Sequence, residues 1–197
     1  MDAPELTSAK LVGIAVLFEG GLALLALALG WIFSQPPTAR FHWDLAAVGL
    51  GCLASLPLLV SMLLITHFPL GPLARLNRVV NEVILPLFES CSVFDFAVIS
   101  LLAGVGEELL FRGVIQALLA RWLSAAAGLV LASILFGLAH TITVAYAVLA
   151  TIFGLYLGML WLWTDNLLVA ITAHAIYDFV ALVYLVRRHR ASASRSA

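Results

Sequence analysis

The chain has 197 residues, 63% of them hydrophobic and 11% charged, with a mean hydropathy of +1.11. A water-soluble domain is about half apolar and about a quarter charged, so this chain could not cover its apolar surface and reads as an integral membrane protein. The formal net charge is -1, and the one basic tract, Arg187-Arg188-His189-Arg190, follows an apolar helix, where it reads as a cytoplasmic membrane anchor rather than a nucleic-acid site.

A helix needs about 20 residues to cross the hydrocarbon core. Lys10 to Phe33 is the first such run, closed by Ser34-Gln-Pro-Pro37, which cannot continue a helix. Its length and its acidic flank (Asp2, Glu5) argue against a cleavable signal peptide. Trp31 and Trp43 flank the following loop at interfacial positions. Asp44 to Thr66 is the second span, with Pro57 as an expected kink and Cys52 as a small core residue. His67-Phe-Pro-Leu-Gly-Pro72 then breaks the chain.

Leu73 to Glu89 mixes Arg75, Arg78, Asn81, Glu82 and Glu89 with apolar residues at three- and four-residue spacing. That pattern predicts an amphipathic helix on the membrane surface, a docking element or a gate on a substrate path. Cys91 follows it, again without metal-like spacing. Val93 to Trp122 is too long for one straight crossing, and Gly104 and Gly106 are the expected kink. Ser124 to His140, Val144 to Trp163 and Asn166 to Val186 supply three more spans.

The expected fold is therefore all-α: a polytopic membrane protein of about six transmembrane helices plus one interfacial helix. Residues 1–190 form a single transmembrane domain, and the Ser/Ala-rich 191–197 is expected to be a disordered tail. With the N-terminus inside, Lys10, Arg75, Arg78, Arg187, Arg188, Arg190 and Arg195 fall on the inner side, and only Arg40 and Arg121 outside. The positive-inside rule then places both termini in the cytoplasm.

Glu107, Glu108 and Arg112 interrupt the long run 93–122, although a charge at the bilayer centre costs about 2.5–3.5 kcal/mol on insertion scales. Glu108 and Arg112 are four apart, acid first, which is the favoured order for an ion pair on one helix face. Glu107 is rotated about 100° away and is left for chemistry. Phe136 and His140 repeat the spacing on a later span, and His174 and Asp178 repeat it on the last. The polar stripes are expected to meet in one wet cavity lined by Glu107, His140, His174 and Asp178. A glutamate base, a histidine sharing a water, and a second histidine donating to an oxyanion are the parts of peptide-bond hydrolysis. No Gly-x-Ser-x-Gly pattern supports a serine nucleophile. Glu19, in the first span beside Gly20 and Gly21, has three readings: a partner for Arg112, a cavity wall, or a protonated acid.

Taken in order, Glu107-Glu108-x-x-x-Arg112, Phe136-x-x-x-His140 and His174-x-x-x-Asp178 resemble the motifs of the CPBP family. This family, also called ABI, includes the type II CAAX prenyl endopeptidases, bacteriocin-processing proteins and related immunity proteins. The resemblance covers about 93–186. It implies an all-helical intramembrane endopeptidase in which Glu107 and His140 activate water, His174 and residue 178 stabilise the oxyanion, and Glu108 and Arg112 organise the site. The prenyl endopeptidases carry Asn where this chain has Asp178. An ionised Asp cannot donate, so Asp178 is expected to orient His174.

The expected partners are a membrane-associated peptide or protein substrate and the lipid bilayer of a prokaryotic inner membrane, with no nucleic acid. No cofactor is required. The alternatives are a zinc metalloprotease using Glu107, His140, His174 and Asp178 as ligands, although no His-Glu-x-x-His pair is present, and a non-catalytic immunity or proton-coupled transport protein.

Overall fold

The structure, a computed structural model, describes residues 7–196. Asp2 and Glu5 of the acidic flank, and Ala197 of the expected tail, lie outside them. The described residues are helical with no strand. Helix α1 is Ser8–Ile32 and α2 is Leu45–His67, entered through Asp44, whose carboxylate accepts the Ala46 N–H at 3.0 Å. The helical run 72–87 is α3, and the run 93–122 is α4. Ala125–Ala139 (α5), Val144–Thr164 (α6) and Leu167–Ser196 (α7) complete the chain.

Helices α1, α2, α6 and α7 are each long and apolar enough to cross a membrane. With the bent α4 and the shorter apolar α5, they make the polytopic all-α architecture that the hydropathy pattern requires. α4 packs between α1 and α7, α2 lies against α7, and α5 and α6 form a hairpin on the C-terminal half of α4. α7 continues as helix beyond Ala191 to Ser196, where the sequence suggested a tail; the segment holds neither proline nor glycine to stop it.

Neither position expected to bend interrupts its helix. α2 runs on through Pro57, with Ser55 Oγ donating to the Cys52 carbonyl one turn earlier at 2.7 Å. α4 stays α-helical through Gly104 and Gly106 as far as Glu108, and then widens into a π-helical stretch, Leu109–Gln116. The glycines serve contact instead. A Cβ on Gly106 would stand 2.5 Å from the Glu19 carbonyl oxygen of α1, and one on Gly104 would stand 3.0 Å from the Ile171 carbonyl oxygen of α7. They let three backbones meet beside Glu107.

One end of the bundle is laced shut. Arg40 pairs with Asp165 at 3.0 Å, Asn166 exchanges hydrogen bonds with the backbone of His42, and Arg121 donates to the exposed Phe33 carbonyl at the end of α1. The other end gathers α3 and the tail of α7, where Arg190 donates to the carbonyls of Glu89 and Cys91 at 2.7 and 2.8 Å.

α3 is amphipathic, as its spacing predicts, but much of its apolar face is turned into the protein. Leu76 and Leu85 are buried. It carries a π-helical step at Val80–Ile84, just before Pro86, whose missing N–H leaves the Glu82 carbonyl without its helical partner. α5 has only 15 residues. At 1.5 Å per residue that is about 22 Å, short of the roughly 30 Å hydrocarbon core, so the turn carrying His140 stops inside the bundle.

Candidate active site

The two glutamates of α4 point to different neighbours. Glu108 is fully buried, and its Oε1 accepts from Arg112 Nη1 and from His174 Nδ1, both at 2.8 Å. Arg112, itself 1% exposed, extends a second nitrogen to the Gly154 carbonyl at 3.0 Å and rests its guanidinium 4.6 Å from the centre of the Phe136 ring. The charge is thus met by a carboxylate, a carbonyl and a π face, which makes its burial tolerable. One turn on, Gln116 Nε2 donates to the Gly158 carbonyl at 3.2 Å, repeating the same register against α6. A Cβ on Gly158 would stand 2.5 Å from Gln116 Oε1, so a larger residue there would push the Gln116 amide aside.

Glu107 faces the other way. It is 7% exposed, its Oε2 stands 3.5 Å from His140 Nε2, and that oxygen accepts no hydrogen bond from any described protein group. His140 ends α5 as its C-cap and places Nδ1 2.8 Å from the Phe136 carbonyl oxygen. A carbonyl can only accept, so Nδ1 bears the proton and Nε2 is free to face Glu107. The imidazole also stacks on Phe136, with centroids 4.5 Å apart. Phe136 is therefore the plate on which Arg112 and His140 both rest, which gives the Phe-x-x-x-His spacing a physical meaning.

His174 lies between two carboxylates, with Nδ1 on Glu108 and Nε2 3.4 Å from Asp178 Oδ2. The sequence reading gave the orienting role to Asp178. In the structure the short bond that fixes the ring comes from Glu108, sixty-six positions earlier in the chain, and Asp178 stands at the other nitrogen, toward the cavity.

Glu107, His140, His174 and Asp178 all line one cavity of about 80 Å³, closed by Phe136, Tyr146 and Tyr177 among others. Glu108 and Arg112 lie behind it. The cavity adjoins a larger chamber of about 340 Å³ running to α3, and Glu107, Tyr146, Tyr177 and Asp178 belong to both. Glu19 also lines the chamber. Of its three readings, the structure supports a cavity wall; no ion pair joins it to Arg112 among the described residues. Among the described residues no three His, Cys, Asp or Glu side chains converge as a metal site.

Sequence reasoning missed Gln116, Tyr146 and Tyr177. Gln116 was legible, since it extends the Glu108 and Arg112 stripe by one more turn inside an apolar run. The tyrosines were not, because an aromatic residue in such a run reads as lipid-facing or core.

Comparison with known proteins bears on the same segment. Residues 89–180 match the model of the Rce1-like family, type II CAAX prenyl endopeptidases, and these bounds include all seven residues named in the motifs. An uncharacterized protein of Bacillus subtilis (strain 168), YpbD, is 33% identical over 97 residues, or 48% of this chain and 47% of that protein. The chain thus spans about half the length of this curated relative. No solved structure matches significantly. Over residues 89–180, where Glu107, Glu108, Arg112, His140, His174 and Asp178 all lie, the chain shares the pattern of the Rce1-like type II CAAX prenyl endopeptidases.

Proposed function

We propose that the protein is an intramembrane endopeptidase that hydrolyses a peptide bond of a membrane-associated protein or peptide. The Rce1-like match supports a CAAX-type protease. The observation that carries the finer reading is the pairing of Glu107 Oε2 with His140 Nε2, 3.5 Å apart on the wall of a cavity that His174 also lines.

A water in the cavity, within reach of both Glu107 and His140, loses a proton to the carboxylate, and its oxygen attacks the scissile carbonyl. His140, held through Nδ1 by the Phe136 carbonyl, orients that water with Nε2. Negative charge gathers on the substrate oxygen. His174, its Nδ1 held by Glu108, meets it with an N–H at Nε2, the nitrogen beside Asp178. Collapse breaks the C–N bond, and the proton held by Glu107 passes to the leaving amine. Glu108 and Arg112 keep the His174 ring in place and touch no reacting atom.

The mechanism needs no metal. The zinc reading uses the same four side chains, and the two are separated by metal analysis of the purified protein and by activity after chelation. For the endopeptidase, Glu107→Gln in membranes carrying a processed substrate is the test: full retained cleavage ends the reading. The positive-inside distribution supports placing the α3 end of the bundle, both termini and the chamber on the cytoplasmic side of a prokaryotic inner membrane.

A further inference from the structure

We infer that Tyr146 is a further catalytic residue, whose hydroxyl donates a hydrogen bond to the scissile carbonyl oxygen as negative charge builds there. This rests on the endopeptidase reading.

The chain has four tyrosines, and they divide into two pairs. Tyr156 donates its hydroxyl to the Ala54 carbonyl at 2.8 Å, and the Tyr184 hydroxyl meets His67 Nε2 at the same distance. Each of those bonds ties α2 to a neighbouring helix. Tyr146 and Tyr177 both line the cavity and the chamber, and among the described residues neither hydroxyl has a protein partner. A tyrosine hydroxyl drawn into a protein interior normally finds a partner, so an unengaged one on the wall of a site calls for a ligand.

Local structure selects Tyr146 of the two. α5 stops at His140, the chain turns, and α6 begins behind Thr143, whose hydroxyl accepts the Tyr146 N–H at 3.1 Å. The tight turn brings the Tyr146 ring edge-on to the His140 imidazole, with centroids 6.0 Å apart. Tyr146 thus stands beside the histidine that orients the water, on a different helix from His174 and Asp178. The Tyr177 ring instead packs edge-on against Phe153 at 5.1 Å, within the apolar contact of α2, α6 and α7.

The other groups of the site leave a role for such a donor. An oxyanion is stabilised by hydrogen-bond donors aimed at the position it will occupy, commonly more than one. His174 offers one from Nε2. Asp178 stands 3.4 Å from that same nitrogen, and an ionised carboxylate accepts hydrogen bonds without giving any. Glu107 takes the proton, His140 holds the water, and Glu108 and Arg112 are bonded to each other behind the cavity. A phenol donates while keeping its own proton, so it adds no charge to a pocket already lined by carboxylates.

The test starts from membranes carrying the full chain or Glu107→Gln, compared by labelling newly formed peptide N-termini. A synthetic peptide spanning a bond cut only by the unaltered chain is then the kinetic probe. Tyr146→Phe keeps the ring against His140 and removes only the hydroxyl. It should lower kcat roughly 10²-fold or more, with KM within about threefold and the melting transition unmoved. Tyr177→Phe should lose less. Asp178→Asn places a new donor beside His174, so in that background Tyr146→Phe should lower kcat by only about a few-fold. A kcat unmoved by Tyr146→Phe, a loss carried by KM, a larger loss in Tyr177→Phe, or the same loss in both backgrounds overturns the inference while the endopeptidase reading stands. If the unaltered chain cuts nothing that Glu107→Gln leaves intact, that reading falls, and the role of Tyr146 with it.

Discussion

Glu107 and Glu108 are neighbours in sequence with opposite fates. Glu108 accepts two short hydrogen bonds through Oε1 and is sealed from solvent, while Glu107 stands 3.5 Å from His140 and faces a cavity; the Oε2 of each has no donor among the described residues. A rotation of about 100° between consecutive helical residues is enough to send one into a buried hydrogen-bonded network and the other toward a cavity. The contrast shows how a membrane protein tolerates adjacent buried carboxylates, one of them held by an arginine and a histidine.

The contrast is broken most severely at Arg112. Arg112→Leu leaves the buried Glu108 charge with only its His174 partner, and a loss of about 3–5 kcal/mol is expected, read as a collapse of the melting transition in detergent. The double variant Glu108→Leu with Arg112→Leu should recover much of that stability but not activity, because His174 loses its Nδ1 partner. Recovery of both would show that Glu108 does not orient the ring. Glu107→Gln should do the reverse, lowering kcat by roughly 10²–10⁴ with little change in melting temperature. Gln116→Leu removes only the hydrogen bond to the Gly158 carbonyl; about 1 kcal/mol of stability should go, with kcat within a factor of a few. Arg40→Ala at the laced end breaks an exposed pair with Asp165, and its effect should be at most about 0.5 kcal/mol. A larger one would mean that this lacing, rather than the Arg112 network, holds the bundle.

Much of this was legible before any coordinates. The i, i+4 spacings of Glu108 with Arg112 and of His174 with Asp178 gave shared faces, and the apolar runs gave the helices. Period alone cannot say which faces meet, so the Glu108 bond to His174 was invisible although both residues were singled out. Gly104 and Gly106 were ambiguous for a related reason. A glycine in a helix reads equally as a bend or as a place where a neighbouring backbone arrives, and only the neighbour decides. The apolar face of α3 was read as lipid-bound because a moment gives direction without naming what fills it. The π-helical stretch Leu109–Gln116 has no proline to announce it.

The residues between Gln116 and the laced end have an electrical consequence. Leu118, Trp161 and Leu167 are all buried there, and the polar stripe of α4 stops at Gln116. A wet, acidic cavity partway through a membrane thins the insulating layer, and each 100 mV across it is worth about 2.3 kcal/mol per elementary charge. These side chains are the remaining dielectric, across which most of the voltage must fall. The carboxylates and imidazoles of the stripe thus meet an apolar layer, not a continued polar path, on the way to the laced end.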